Sequence, residues 1–552
     1  MIRPDDRMAL LNDVIHGRLS RRQVLQRAAA LGLAAPSVAA LLTALPASAV
    51  AHAPHPQGST PAADQPCTGA ITFAMDSDPV NLIPYGGVSG SNMLGKEAMY
   101  DSLLEWDAEL TIQPALAESY EAAPDGTSYT FRLRRGVLFH NGQELKAQDV
   151  QYSIGLAQNP PPPGIKNAFL VNVASVDIVD DYTVTFTMSK PDPTIPGVLA
   201  WMRYSPIVPN GIADQINLLS EGIGTGPYQL VEFVPNDRVV YTCNENYWKP
   251  GVPCIKDLTL KVLPDEQSRV AALRSGEIDG GTFSPDVARS LENDDTLEIL
   301  SGLIAAPRVI HFNTTQDAPW RDVRVRQAIN LAVDRQQIID NVYGGNAELT
   351  GPIPPGYGDW ALTNDQLTQL YATDLERAKA LMTEAGLADG FEVTLQAISA
   401  PRDYTQIAEI VRERLRELNI EVTVEPLEIG TFAKNIGEGT FQWASTGRGM
   451  RGDPSGFVVD FRSGTASNLV WFGDGWKNDE VDTLYDQALA TTDQAARLEA
   501  YHRIQQVVLE EAANLYTVQP YKFQIVGERV EGMYVSYTDF NPGLRTSCVT
   551  DE

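Results

Sequence analysis

The apolar periodicity changes partway along this chain, and that change restricts the fold more than any other feature. Strict two-residue alternation runs through Ile71–Met75, Tyr129–Leu133 and Tyr182–Met188, the pattern of strands with one buried face. Turn residues stand nearby, at Pro124-Asp125-Gly126 and Asn141-Gly142, and Pro160–Gly164 reads as a rigid proline-rich loop. In the C-terminal half the spacing becomes helical: Val325, Ala328, Ile329, Ala332, Val333, Ile339 and Val342 recur on one face until Gly344. Asp374 caps a helix carrying Leu375, Ala378, Leu381, Met382 and Ala385, which Gly386 ends. Residues 403–419 read as an amphipathic helix leading into an alternating strand, Ile420–Val424, and helices follow near 478–491 and 493–513. Helices interleaved with strands indicate α/β architecture. No repeat of solenoid length is evident.

Charge narrows the function. The chain of 552 residues carries 42 Lys and Arg against 71 Asp and Glu, a net charge of −29. Nucleic-acid binding needs clustered cations, so that class is set aside. Of six His, three (His16, His52, His55) lie in the first 55 residues, which argues against a His-rich metal site in the body.

Residues 1–51 hold six Arg and three Asp. Ser20-Arg21-Arg22-Gln23-Val24-Leu25-Gln26 precedes an Ala- and Leu-rich run that closes on Ala47-Ser48-Ala49 and Ala49-Val50-Ala51. A basic segment, an apolar segment and a small-residue cleavage site make a signal peptide, and the paired Arg resemble a twin-arginine signal. Cleavage is expected near residues 49–53. Pro36 and Pro46 disfavour a spanning anchor, and no Cys follows the apolar run directly. Residues 52–66 have linker composition. All four Cys (Cys67, Cys243, Cys254, Cys548) come later, and an even count in an oxidising compartment implies two disulfides. The turn-rich stretch between Cys243 and Cys254 makes a hairpin staple the expected pairing, leaving Cys67 to Cys548; free thiols are the alternative.

Most chemistry-bearing motifs dissolve on inspection. Gly222-Ile223-Gly224-Thr225-Gly226 looks like a phosphate loop, but a strand, not a helix, follows it. Arg451-Gly452-Asp453 spells a cell-attachment tripeptide of negligible specificity. No Gly-x-Ser-x-Gly and no His-Glu-x-x-His occurs. An exported enzyme therefore has no residues to rest on, and no cofactor is expected.

Other stretches resemble the family 5 extracellular solute-binding proteins, the dipeptide, oligopeptide and nickel receptors of ABC importers. These are Leu116–Tyr120, Thr127–Gly142 and Ala147–Ser153, then Gly224–Tyr228, Asn246–Trp248, Ala272–Asp279, Phe312–Thr314, Arg324–Ile329 and Asp334-Arg335, in family order. The resemblance implies a two-lobed periplasmic-binding-protein α/β fold with an additional subdomain and a ligand cleft between the lobes. It implies lobe I from 67–95, 206–310 and 520–552, the extra subdomain at 96–205, and lobe II at 311–519. It also implies a periplasmic monomer without catalysis, which delivers its solute to an inner-membrane permease. A peptide or peptide-like solute is the default; an anionic non-peptide solute such as an opine or organic acid is the alternative. Nothing in the residues favours a nickel chelate.

Candidate ligand contacts come from the same resemblance. Val88, Ser89, Gly90 and Asn92 sit where peptide receptors of the family run along the ligand. Aligned on Asp453-Pro454, Gly447 and Met450 occupy positions where those receptors carry a Trp and an Asp that hold the ligand's amino terminus. The loop offers Arg448 and Arg451 instead, with Arg462 nearby, and buried Arg grips carboxylate bidentately. Surface pairing with surplus carboxylates is the competing reading. Tyr404 and Trp471-Phe472 are candidate cleft walls, with core packing as the competing role.

Overall fold

The computed structural model describes residues 67–85, 90–108, 110–162, 164, 166–315, 317–473, 475–538 and 543–550. The leader, its cleavage site and the linker lie outside the described residues. The alternating segments are strands: Thr68–Met75, Ser128–Leu133 and Thr183–Met188. In the latter two every second side chain is buried, as period-two burial requires.

Two sheets organise two lobes. The first runs Leu297–Leu303, Val518–Gly527, Gly280–Phe283, Thr68–Met75, Ile255–Val262, Arg238–Cys243, Tyr228–Val234. Here Thr68–Met75 is parallel to both neighbours. The second runs Ile420–Leu427, Phe391–Ile398, Trp443–Gly447, Arg308–Phe312, Asn514–Tyr516. A separate antiparallel sheet of Ala117–Ala122, Ser128–Leu133, Thr183–Met188 and Val173–Asp180 carries the helix Ala147–Gln158.

The chain crosses between the main sheets at 304–307 and again at Thr517. The crossings are tied together: Thr517 donates from N and Oγ1 to the Arg308 carbonyl, both at 3.0 Å. Two adjacent strands linking two cores form the usual geometry of a hinge.

Several expectations meet small revisions. The run Val325–Val342 is two helices, Val323–Ala332 and Arg335–Tyr343. Val333 is extended (φ −91°, ψ 113°), and Asp334 caps the second helix by accepting from Gln336 N at 2.9 Å. Gly344, at φ +57°, ends it. The 403–419 segment is the helix Asp403–Leu415 with a tightened last turn, Arg416–Leu418. Gly224 and Gly226 lie against the 98–100 backbone, where a Cβ on Gly224 would stand 2.2 Å from Met99 O. That glycine run is a packing device, and the strand Tyr228–Val234 follows it.

The disulfide pairing differs from the hairpin staple. Cys67 bonds Cys243, and Cys254 bonds Cys548. The antiparallel register pairs Thr242 with Asp257, so Cys254 lies beyond the paired end of that ladder and does not face Cys243. The C-terminal strand Cys548–Val549 folds back over the start of Thr68–Met75, with Val549 Cγ2 filling the space beside Gly69. That return brings Cys548 to Cys254.

Candidate functional site at the lobe junction

The lobes meet through small residues walled by aromatics. A Cβ on Gly197, from the first lobe's side, would stand 1.7 Å from Gly452 O of the second and 3.2 Å from Trp106 Cζ2. Trp201 belongs to the same apolar cluster as Met450, Tyr357, Phe457 and Tyr537, so one buried core spans the junction. Trp201 meets Tyr204 edge-on at 4.5 Å, and the Arg203 guanidinium lies 5.6 and 5.4 Å from their rings. Tyr357 fixes the 448–452 loop, donating to Arg451 O at 2.5 Å and accepting from Arg451 N at 3.0 Å.

The predicted residues separate into three groups. Met450 and Arg451 lie at the junction itself. Met450 is 2% exposed within the shared cluster. Arg451 gives its guanidinium hydrogens to backbone carbonyls of Gly449, Met450 and Gly456 at 3.2 to 3.4 Å, and no carboxylate pairs with it among the described residues. Burial lowers its pKa from the ordinary guanidinium value, and nearby Arg203 adds to the effect. A half-buried cation satisfied only by carbonyls is an incomplete arrangement.

Arg448 and Trp471 form the second group, inside the second lobe. Arg448 pairs with buried Asp460 and lies 5.6 Å from the Trp471 ring. Trp471 stacks on buried His311 at 3.9 Å. Burial, then Arg451, brings the Arg448 pKa down to about 10. Tyr404 makes the third group, its ring 4.4 Å from the Arg308 guanidinium. Arg308 is paired with Asp403 at 2.7 Å, and Tyr343 donates to the same carboxylate at 2.7 Å. Tyr404 Oη stands 2.7 Å from where a Cβ on Gly447 would lie. The hydroxyl thus takes the room that a larger side chain at 447 would need.

Arg462 is engaged elsewhere, with Asp486 at 2.8 Å, and Asp453 is held by Arg497 at 2.7 Å. Val88 and Ser89 lie outside the described residues. Gly90 and Asn92 fall in the first turn of the helix Gly90–Glu97, with their side chains outside the description.

Beside the junction lies a cavity of about 290 Å³, bounded by Trp106, Trp201 and Met202 on one side and by Tyr534, Ser536 and Thr538 on another. Its wall is braced by Asp101, which pairs with Arg545 and accepts from Tyr247 Oη, Trp248 Nε1 and Thr225 Oγ1 at 3.0 to 3.1 Å. Glu105 pairs with Lys249 at 2.5 Å. Reading the sequence did not single out Trp106, Trp201, Arg203, Tyr204 or Tyr357. The compact run Trp201-Met202-Arg203-Tyr204 directly after the helix Ile195–Leu199 was the available signal.

Residues 111–468 match the family model described as bacterial extracellular solute-binding proteins, family 5 middle. The chain is similar to heme-binding protein A of Haemophilus influenzae, 31% identical over 79% of this chain and 84% of that protein. It is 29% identical to the dipeptide-binding protein of Escherichia coli, over 84% of this chain and 92% of the other. A periplasmic binding protein from Helicobacter pylori in complex with the peptide STSA superposes with a TM-score of 0.74. The pair are 25% identical, and the match covers 88% of this chain and 98% of that one.

Proposed function

The chain belongs to the bacterial extracellular solute-binding proteins of family 5, and on that premise we propose that it captures a peptide-like solute bearing a carboxylate between its lobes. Arg451 carries this reading. It is a half-buried guanidinium at the lobe junction whose hydrogens, among the described residues, meet only carbonyls, and a ligand carboxylate supplies the missing charge. Trp106, Trp201, Tyr204 and Tyr357 wall the site, with Met450 in place of a carboxylate. Arg448, Tyr404 and Trp471 stand behind the loop and hold its shape. Val88, Ser89, Gly90 and Asn92 complete the ligand contacts.

Capture proceeds by closure about 304–307 and Thr517, between a first lobe with its extra subdomain and a second lobe. The loaded monomer then docks on an ABC permease in the inner membrane, having no catalysis of its own. Export follows twin-arginine recognition and cleavage near residues 49–53. The relative named for dipeptide binding and the neighbour in complex with the peptide STSA support a peptide-like class. Met450 and Arg451 together favour a second reading, an anionic non-peptide solute such as an opine or organic acid.

A thermal-shift screen tests both readings. Di- and tripeptides, their C-terminal amides, opines and organic acids are compared at high concentration. A ligand at 100 times its dissociation constant stabilises by about 2.7 kcal/mol. Free-carboxylate peptides that stabilise while their amides do not support the first reading. A response confined to non-peptide acids supports the second. Amides that stabilise as well as free acids contradict both.

A further inference from the structure

Both lobe crossings and the anchor of the Arg451 loop converge on one side chain, Tyr537, in the segment that follows the strand Val518–Gly527. Its carbonyl accepts from Ala305 N at 2.9 Å, which holds the first crossing, 304–307. Its hydroxyl oxygen accepts from Gln519 Nε2 at 2.6 Å, just beyond the second crossing at Thr517. The same oxygen accepts from Gly356 N at 3.0 Å. Gly356 precedes Tyr357, whose hydroxyl grips the backbone amide and carbonyl of Arg451.

The arrangement leaves little slack. Tyr537 is 8% exposed and Gln519 is fully buried. Gln519 Oε1 has no partner, so the Tyr537 hydroxyl is the only group holding that side-chain amide among the described residues. Removing the oxygen would strand two donors, and a buried donor without an acceptor is costly. A Cβ on Gly356 would stand 2.0 Å from the Tyr537 ring, so the ring packs directly on the backbone of the turn. The rings of Tyr357 and Tyr537 meet edge-on at 5.9 Å, and both share an apolar cluster with Ala305 and Met450.

Resting on the reading that a solute is captured at Arg451, we propose that Tyr537 is the positioning residue that couples the 448–452 loop to the hinge. It sets the Gly356-Tyr357 turn, and through it Arg451, to the lobe arrangement fixed at 304–307 and Gln519. A solute that orders the loop thereby favours closure, and closure presents Arg451 to the solute, as reciprocal coupling requires.

The test begins without any solute. Tyr537→Phe keeps the ring on Gly356 and removes only the oxygen; Gln519→Leu removes the hinge-side donor and leaves Tyr537 intact, so it serves if the first variant does not fold. Hydrogen exchange of the full chain, read by mass spectrometry, should be at least 10-fold faster at 448–452 in either folded variant. Exchange in the strand Ser128–Leu133 of the extra subdomain should match the parent. A pool of di- and tripeptides with free carboxylates then probes capture by titration calorimetry. Tyr537→Phe should bind it at least 10-fold more weakly, and that loss should vanish in an Arg451→Ala background, the non-additivity of coupled residues. A side chain that merely stabilised the fold would weaken both backgrounds alike. Unchanged exchange at 448–452 in a folded variant, or equal losses in both backgrounds, overturns the coupling while solute capture stands. If the parent binds none of the pool, the peptide-like reading falls, and the exchange comparison alone decides the coupling.

Discussion

Gly197 and Gly452 meet across the lobe junction so closely that a methyl group on the first would lie 1.7 Å from the carbonyl oxygen of the second. That contact exists only with the lobes together, and no side chain fits within it. Gly197→Ala is therefore expected to oppose closure and leave each lobe intact. Ligand affinity should fall at least 10-fold. Small-angle scattering should show no compaction when ligand is added. A variant that binds and compacts like the parent would mean that the junction does not close on this contact.

Lys96, fully buried on the helix Gly90–Glu97, gives a pH signature. Burial, reinforced by Arg203, lowers its pKa to about 7, against ~10.4 in an unfolded chain. Between those values the unfolded chain binds more protons at this site than the folded one. Stability from this group should therefore rise from about pH 7 toward pH 10 and be lost as pH falls through 7, at up to ~1.4 kcal/mol per pKa unit. Urea titrations across that range should show the slope, and Lys96→Met should flatten it. An unchanged slope in the variant would place the titration elsewhere.

The buried Arg308–Asp403 pair sits where the chain crosses between lobes. Asp403→Asn leaves a buried guanidinium without its counter-ion, and such losses cost ~3–5 kcal/mol. The second lobe should unfold at lower urea concentration than the parent. Asp460→Asn should have a comparable effect through Arg448. An effect below ~0.5 kcal/mol in both, the range of ordinary surface substitutions, would show that water compensates these charges.

Strands and helices were legible in the residues because their signals are local. Tyr129–Leu133 alternates, Asp374 caps, and Gly344 stops a helix by taking a left-handed conformation. The split at Val333 was also local, since Asp334 is a capping residue, but continuous apolar spacing on both sides concealed it. The cysteine partners were not legible, because Cys548 reaches Cys254 only through the fold-back of the C-terminal strand. The site was half legible. The two Arg of the 448–451 loop stood out against an acidic chain, yet their different fates depend on Asp460 and Tyr357, which only tertiary packing brings near. Trp106 and Trp201 carry no spacing of their own and became recognisable only beside the cavity.

The disulfides lend themselves to direct mapping. Digestion without reduction should release linked peptides joining Cys67 to Cys243 and Cys254 to Cys548. Removing the second bridge by Cys254→Ser with Cys548→Ser should cost ~2–5 kcal/mol and loosen the segment whose Arg545 braces Asp101. A Cys243–Cys254 peptide would contradict the observed register.

Titration calorimetry of Arg451→Ala against the parent tests the central claim most directly, using the solute that gives the largest thermal shift. The account predicts one site per chain, with at least a 10-fold loss of affinity in the variant. The parent should show an equal loss when the solute's carboxylate is amidated, and the variant should be indifferent to that amidation. Equal affinity of both proteins for the free and the amidated solute would contradict it.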